Sequence, residues 1–371
     1  MRPNHPYIDE NGQWKSERNL ALQHRVSMHD YKKPGVYMIT LCVNNRYPLF
    51  GRLVMPQAIV EPTSVGLMVE HTWREIPIYN PEITVLDFQL MPDHLHGLIR
   101  VNTPLTKPLG QIIRGYKMRC TSLYRALMHD EQVIPLPNEG KASLTIEQRK
   151  QVASQSLWER NYNDRIAYTK QRIDTLRAYI HDNPRRLALK KQHPEYFALM
   201  QNIHIPTSSG ILTFTTMGNS HLLEASSKQV LQCSRSLTDG HHEDAYRALM
   251  HDYIERAKSG MVIISAAISK GEQMICRAIR EQGLPLVILI KDGFPSPNDP
   301  RSTYYKPGGA LFEACAKGHL LLMEPSEDTF LIDDITHAVN LKSPMAPPES
   351  NRYHFLALNV IASLLAGGTV H

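Results

Sequence analysis

The chain is poor in cysteine and has no long apolar run. Its five cysteines, at positions 42, 120, 233, 276 and 315, form no Cys-x-x-Cys pair, which argues against a zinc knuckle and a disulfide framework. The longest apolar stretch, residues 355–366, contains Asn359 and is too short to cross a bilayer. The first 30 residues are polar and do not resemble a signal peptide. We therefore expect a cytoplasmic protein with reduced thiols in its core and no membrane partner.

Acidic residues are scarce in one part of the chain. Residues 1–200 hold 27 Lys and Arg against 19 Asp and Glu, whereas the remaining residues hold 14 against 17. Residues 101–128 contain no acid, and the apolar spacing within residues 109–127 predicts an amphipathic helix. A basic helix face is typical of contact with a nucleic-acid backbone, and an ordinary solvated face is the alternative. The side chains expected to contact DNA are Lys107, Arg114, Lys117, Arg119 and Arg125.

The order of predicted elements indicates two domains, each with its own core. Residues 1–204 predict strand–helix–strand–strand–helix, which suits a ferredoxin-like antiparallel palm with its helices on one face. Residues 205–210, IPTSSG, are expected to form a linker. In residues 211–371 apolar strands alternate with helices, which predicts a Rossmann-like α/β domain with a parallel sheet. The expected fold class is thus α+β, followed by an α/β domain.

Two histidines stand at the start of an apolar strand. The sequence around Met91-Pro92-Asp93 predicts two strands joined by a turn, and His94 and His96 open the second strand. Alternation along a strand places both imidazoles on one face and turns Leu95 into the core. Two neighbouring imidazoles are half of a site for a divalent metal. A His-x-His pair taken alone is also compatible with an incidental arrangement.

A later helix supplies a candidate nucleophile. Residues 172–183 have helical spacing, and Pro184 is expected to end the helix. Tyr179 and Asn183 are four residues apart and therefore lie on one helix face. A phenol beside an amide ligand suits attack on a phosphodiester that a metal polarises. The alternatives are a half-buried helix tyrosine and an asparagine that caps the helix.

Four segments in the same order resemble the HUH single-strand DNA transposases, most closely the REP-associated tyrosine transposase group. They are residues 31–40 with 49–51, 91–99 (MPDHLHGLI), 157–166 (LWERNYNDRI) and 179–184 (YIHDNP). The resemblance implies that His94, His96 and Asn183 bind Mg²⁺ or Mn²⁺. It also implies that Tyr179 forms a 5′-phosphotyrosine and releases a 3′-hydroxyl. Single-stranded or hairpin DNA is the implied partner, and the resemblance leaves open whether the chain acts as a homodimer.

The second half more distantly resembles the Rossmann-like domain of the DNA-processing protein A group. The resemblance rests on Met217-Gly218-Asn219, Cys233-Ser234-Arg235, residues 265–271 (SAAISKG) and residues 320–325 (LLLMEP). In that group, glycine-rich turns let the backbone approach phosphate at a helix start. Here Cys233 and Ala266 stand where glycine is expected, and each Cβ narrows the room for phosphate. Arg235, Ser265 and Lys270 are candidate contact residues, and a structural or partner-docking role is the alternative.

Three functions remain in competition at this point. The first is a metal-dependent transposase that cleaves and rejoins DNA through a covalent tyrosine. The second is a domesticated, non-catalytic protein that binds structured single strands. The third is a metal phosphodiesterase that uses water. The spacing of Tyr179 and Asn183 favours the first.

Overall fold

The structure is a computed structural model that describes residues 7–8, 14–15, 29–129, 147, 156–238, 242–290, 293–294, 309–343 and 350–368. The described residues form several sheets and helices, so the expected mixed α+β class is confirmed. The ferredoxin-like palm expected for residues 1–204 and the Rossmann-like domain expected for residues 211–371 stay predictions. Contacts divide the chain into two compact units, Met1–Leu189 and Lys190–His371. None of the helices in the described part of the chain is long and apolar enough to span a bilayer.

The first unit is built on a four-stranded sheet. After a short pair of strands, Tyr7–Ile8 and Trp14–Lys15, its elements in chain order are β1 (Gly35–Cys42), β2 (Gly51–Val54), β3 (Ile59–Pro62), α1 (Ser64–Arg74), α2 (Ile76–Tyr79), β4 (Ile83–Met91), β5 (His94–Val101), α3 (Leu109–His129), β6 (Asn163–Ala167) and α4 (Lys170–Gln192). The sheet order is β4-β5-β1-β6, antiparallel throughout. The two strands predicted around the Met91-Pro92-Asp93 turn are present as β4 and β5, because alternating apolar residues and a tight turn specify a hairpin locally.

The two faces of this sheet pack against different helices. One face, which includes Leu41 and Leu95, packs on α1 and α3. The other face, which includes Met38 and Leu98, packs on α4 through Leu176 and Ile180. The expectation that the helices share one face is therefore wrong. The apolar stripe of α4 covers the sheet face that α1 and α3 leave open, and His94 and His96 belong to that face because strand residues two apart point the same way.

Helix α4 runs through Pro184 and ends at Gln192, so the predicted end at residue 183 is wrong. Its apolar stripe continues beyond the proline, and packing against the sheet outweighs the loss of one backbone donor. The buried residues are spaced four apart: Leu176, Ile180, Pro184 and Ala188. Because the helix does not stop, Asn183 is not its cap.

The second unit is built on a six-stranded sheet. Its elements in chain order are β7 (Met200–Thr207), β8 (Gly210–Gly218), β9 (Lys228–Val230), α5 (Glu243–Lys258), β10 (Val262–Ser265), α6 (Lys270–Glu281), β11 (Leu286–Leu289), α7 (Gly309–Ala316), β12 (Leu320–Pro325), α8 (Glu327–Phe330), α9 (Asp333–Lys342) and α10 (Asn351–Leu365). The sheet order is β9-β10-β11-β12-β8-β7. The first four strands are parallel, and β8 and β7 extend the sheet as an antiparallel hairpin.

Residues 205–210 form the end of β7 and a tight turn. Thr207 pairs with Gly210 across Ser208-Ser209, and Gly210 has a φ of 119°, a conformation that favours glycine. The segment expected to link the domains is thus part of a hairpin, and the division by contacts falls earlier, after Leu189. Pro, Ser and Gly are favoured in linkers and in turns alike, so the composition alone does not separate them.

Candidate active site

The two histidines of β5 lie side by side on the sheet face that carries α4. His94 pairs with Cys42 of β1, and His96 pairs with Thr40. The centroids of the two imidazoles are 4.9 Å apart, and the rings are nearly perpendicular at 89°. His96 is 4% exposed, while the His94 side chain is 15% exposed. A buried strand therefore fixes both rings at the edge of solvent.

Each imidazole is held through its Nδ1 atom. Asp93 Oδ1 lies 2.6 Å from His94 Nδ1, and Thr40 Oγ1 lies 2.8 Å from His96 Nδ1. An oxygen partner at one ring nitrogen is the usual way in which a protein orients a metal-binding imidazole. Both histidines thus turn Nε2 away from the group that positions them.

The carboxylate of Asp93 determines the tautomer of His94. Burial raises the pKa of Asp93, but the hydrogen bond from His94 and the attraction of His94 and Arg46 outweigh burial and hold the pKa below its usual value. Arg46 Nε lies 2.9 Å from Asp93 Oδ2. An ionised carboxylate only accepts hydrogen bonds, so His94 Nδ1 carries a proton, which leaves Nε2 as the nitrogen with ligand chemistry.

The phenol of Tyr179 lies beside this pair. Its ring centroid is 5.6 Å from that of His96, with an interplanar angle of 69°. Tyr179 is half-buried in the cluster formed by Met38, Leu98 and their neighbours. The packing of α4 on the sheet therefore brings together the predicted nucleophile and the predicted metal half-site, which are far apart in sequence.

Asn183 makes a hydrogen bond within its own helix. Its Nδ2 donates to the Tyr179 carbonyl oxygen at 2.6 Å, which leaves Oδ1 as the atom with ligand chemistry. Two imidazoles and an amide oxygen form a donor set that accepts Mg²⁺ or Mn²⁺. Within the described residues, no group of three or more His, Cys, Asp and Glu side chains is arranged to hold a metal ion. The expected site therefore depends on the amide of Asn183 as its third protein ligand.

Two arginines that the sequence did not indicate converge on the same phenol. The guanidinium carbon of Arg165, on β6, lies 5.6 Å from the centroid of the Tyr179 ring. That of Arg186, on α4, lies 5.7 Å from it. Arg165 pairs with Met38 of β1, on the face that carries the histidines. The only sequence signal was the position of these arginines within or just beyond the 157–166 and 179–184 segments.

The five basic side chains expected to contact DNA lie on or next to α3, which packs on the opposite face of the sheet. Lys117 Nζ donates to the carbonyl oxygens of Glu159 at 2.5 Å and Arg160 at 3.2 Å, and so holds the backbone of that segment. Arg119 pairs with Glu75 at 2.9 Å. Lys107 is exposed. The remaining two, Arg114 and Arg125, help to line a groove of about 630 Å³. The structure thus does not bring these residues to Tyr179.

The candidates of the second unit surround the start of α6. Ser265 is buried, and its Oγ accepts a hydrogen bond from the Ala267 N–H at 2.9 Å. Lys270 is exposed at the first position of the helix. The side chain of Arg235 lies outside the described residues. Gly271 is approached closely by Cys233, whose Sγ would lie 2.5 Å from an added Cβ, so packing of Cys233 accounts for this glycine.

The backbone at this helix start is bound by the chain itself. The N–H groups of Ile268 and Ser269 donate to Glu272 Oε2 at 2.9 and 3.0 Å, and the Glu272 N–H donates to Ser269 Oγ at 3.1 Å. Glu272 is 6% exposed. An internal carboxylate therefore takes the hydrogen bonds that a phosphate would take at such a turn.

Comparison with known proteins gives similarity over less than half of the chain. No protein-family model matches the chain. An uncharacterised protein of Haemophilus influenzae is 28% identical over 170 residues, which make up 45% of this chain and 91% of that protein. Two solved structures are similar to part of this chain. A REP-associated tyrosine transposase bound to a REP hairpin shares 14% identity and covers 44% of this chain and 74% of its own, with a TM-score of 0.26. A protein described as a transposase from Deinococcus radiodurans shares 15% identity and covers 43% and 97%, with a TM-score of 0.25.

Proposed function

We propose that the first unit is a metal-assisted tyrosine transposase that cleaves and rejoins single-stranded or hairpin DNA. The observation that carries this proposal is the contact between Tyr179 and His96, whose ring centroids are 5.6 Å apart, at the edge of a paired imidazole site. A phenol is a competent nucleophile toward phosphorus when cationic groups reduce the charge of the phosphodiester. The imidazole of His96 and the guanidinium groups of Arg165 and Arg186 all contact the ring of this phenol.

The side chains divide the work between holding a cation and attacking phosphorus. His94 and His96 through Nε2, and Asn183 through Oδ1, would hold Mg²⁺ or Mn²⁺. Such an ion, when bound, withdraws charge from the scissile phosphate. Asp93 and Thr40 keep the two imidazoles oriented. The half-buried position of Tyr179 limits the directions from which its hydroxyl reaches a substrate.

The chemical step exchanges one phosphoester bond for another. Tyr179 Oη attacks phosphorus, and the bond from phosphorus to the 3′ oxygen breaks, which leaves a 5′-phosphotyrosine and a 3′-hydroxyl. The phenol releases one proton to solvent, and the leaving oxygen takes one up. No water is consumed. A later 3′-hydroxyl attacks the phosphotyrosine, rejoins the strand and restores the phenol.

A denaturing-gel adduct assay tests this function. The wild type, Tyr179→Phe and the control Tyr168→Phe are incubated with labelled hairpin DNA from the flanks of the gene, with Mn²⁺ or with EDTA. Tyr168 is a suitable control because it is 74% exposed in its loop before α4. We expect a Mn²⁺-dependent protein–DNA band in the wild type and the control, and none in Tyr179→Phe.

Two other results would overturn the proposal. Cut DNA without a covalent band would indicate a phosphodiesterase that uses water. Bound but uncut DNA in all three proteins would indicate a domesticated binding protein. In the second case, Tyr179→Phe would also leave the biological activity intact.

A further inference from the structure

We propose that Arg165 and Arg186 hold the scissile phosphate next to Tyr179 by contacting its non-bridging oxygens. This inference rests on the proposed function and names the groups by which the site recognises the charge of its substrate. The two arginines come from different elements, β6 and α4, yet their guanidinium carbons lie 5.6 and 5.7 Å from one ring centroid. A phosphate that bonds to the phenol oxygen would lie just beyond the ring that both arginines contact.

A phosphate offers the two guanidinium groups a stronger contact than the ring does. A contact between a cation and a neutral ring contributes about 0.5–1 kcal/mol at exposed sites. A contact between a guanidinium group and a phosphate oxygen is a charge-assisted hydrogen bond, and it is stronger. A phosphate bound at Tyr179 would therefore add charge-assisted contacts to both arginines.

Attack of the phenol on phosphorus also requires cationic groups on more than one side of the scissile phosphate. Negative charge spreads over the non-bridging oxygens as the phenol attacks, and preorganised donors aimed at that charge lower the barrier. The imidazole pair would place its ion near His96. The arginines lie over the Tyr179 ring and would supply the remaining donors. Arginine suits this role because its planar fork matches two phosphate oxygens.

The first test measures the rate of adduct formation in single variants. Arg165→Gln and Arg186→Gln are compared with Arg185→Gln, which removes the same charge from the neighbouring residue of α4. We expect each of the first two to slow the adduct by about 10²–10³-fold, as does loss of one donor to a developing anion. Arg185→Gln should stay within about twofold, because its contribution is a surface ion pair.

A second test separates phosphate contact from a purely structural role. The scissile phosphate is replaced by a methylphosphonate, which lacks the charge of one non-bridging oxygen. We expect this substrate to slow the wild type strongly and to slow Arg165→Gln and Arg186→Gln much less, because groups in contact give non-additive effects. The inference would be overturned if the methylphosphonate slowed adduct formation equally in all proteins. It would also be overturned if the loss of rate in each variant followed the decrease in its melting temperature.

A binding measurement distinguishes failure of this inference from failure of the proposed function. In the Tyr179→Phe background with EDTA, anisotropy of the labelled hairpin should show about 10-fold weaker binding for each of the two variants than for Arg185→Gln. If the wild type forms no adduct but this difference in binding appears, the inferred phosphate contact stands and the proposed transposase function is wrong. If the adduct forms and all three variants behave alike, the proposed transposase function stands and the inference about the two arginines is wrong. Absence of both adduct and binding overturns both.

Discussion

The two units differ in the groups that their candidate residues contact. In the first, the imidazole of His96 on β5 and the guanidinium group of Arg165 on β6 both contact the ring of Tyr179. In the second, the chain supplies its own anions. Glu272 accepts the N–H groups that follow β10, and Glu324 accepts the Phe294 N–H after β11 at 2.8 Å. These two carboxylates therefore occupy backbone donors at turns of the second unit.

The largest effect expected is that of His96→Ala. Loss of one of two imidazoles should reduce adduct formation about a thousandfold, because metal assistance supplies several kcal/mol to the barrier. It should also remove the stimulation by Mn²⁺. His71→Ala is the control, since His71 on α1 is 78% exposed. An unchanged rate in His96→Ala, with unchanged far-UV circular dichroism, would show that the histidine pair is incidental.

Gly97→Ala should damage the same unit through packing. An added Cβ would fall on the ring of Trp73, which is fully buried, and we expect a loss of about 3 kcal/mol in the free energy of unfolding. Gly115→Ala on α3 is the control, because a Cβ there meets nothing within 4 Å, and it should gain up to about 1 kcal/mol. Urea unfolding of the three proteins measures both values. Equal stability of the two variants would mean that Trp73 does not pack against β5.

Asp93→Asn should weaken metal binding without removing a ligand. The amide no longer fixes the proton on His94 Nδ1, and loss of such a partner costs about 10–100-fold in metal affinity. Mn²⁺ titration by calorimetry gives the affinity. The control is Asp174→Asn, an exposed residue of α4, which should bind Mn²⁺ as the wild type does. A wild-type affinity in Asp93→Asn would show that this carboxylate does not orient the ligand.

Glu272→Gln should have the smallest effect and leave DNA chemistry unchanged. The loss of charge weakens the hydrogen bonds from Ile268 and Ser269, which should cost about 1–2 kcal/mol of stability. Glu281→Gln, at the exposed end of the same helix, should leave the stability almost unchanged, because its ion pair with Arg277 lies at the surface. Thermal unfolding compares the two. A rate of adduct formation that falls in Glu272→Gln would contradict the separation of roles between the units.

The sequence was informative where structure depends on local pattern. The hairpin of β4 and β5 and the shared face of its histidines follow from alternation and a tight turn. The continuation of α4 through Pro184 was missed, because tertiary packing outweighed a local signal. The roles of Arg165 and Arg186 were missed for a related reason. Which face of a sheet a helix covers is decided by the other helices, so no local pattern reveals which side chains meet over Tyr179.

The two-residue turn between β4 and β5 has a consequence for how this chain can evolve. Met91 pairs with His94, and one inserted residue that shifted the register of β5 would exchange the faces of the strand. Both imidazoles would then point toward α1 and α3, and Leu95 would face the tyrosine helix. A single insertion thus removes the whole cluster at once, and no point substitution restores it. Among relatives of this chain, hairpin length should therefore mark retained chemistry better than overall identity does.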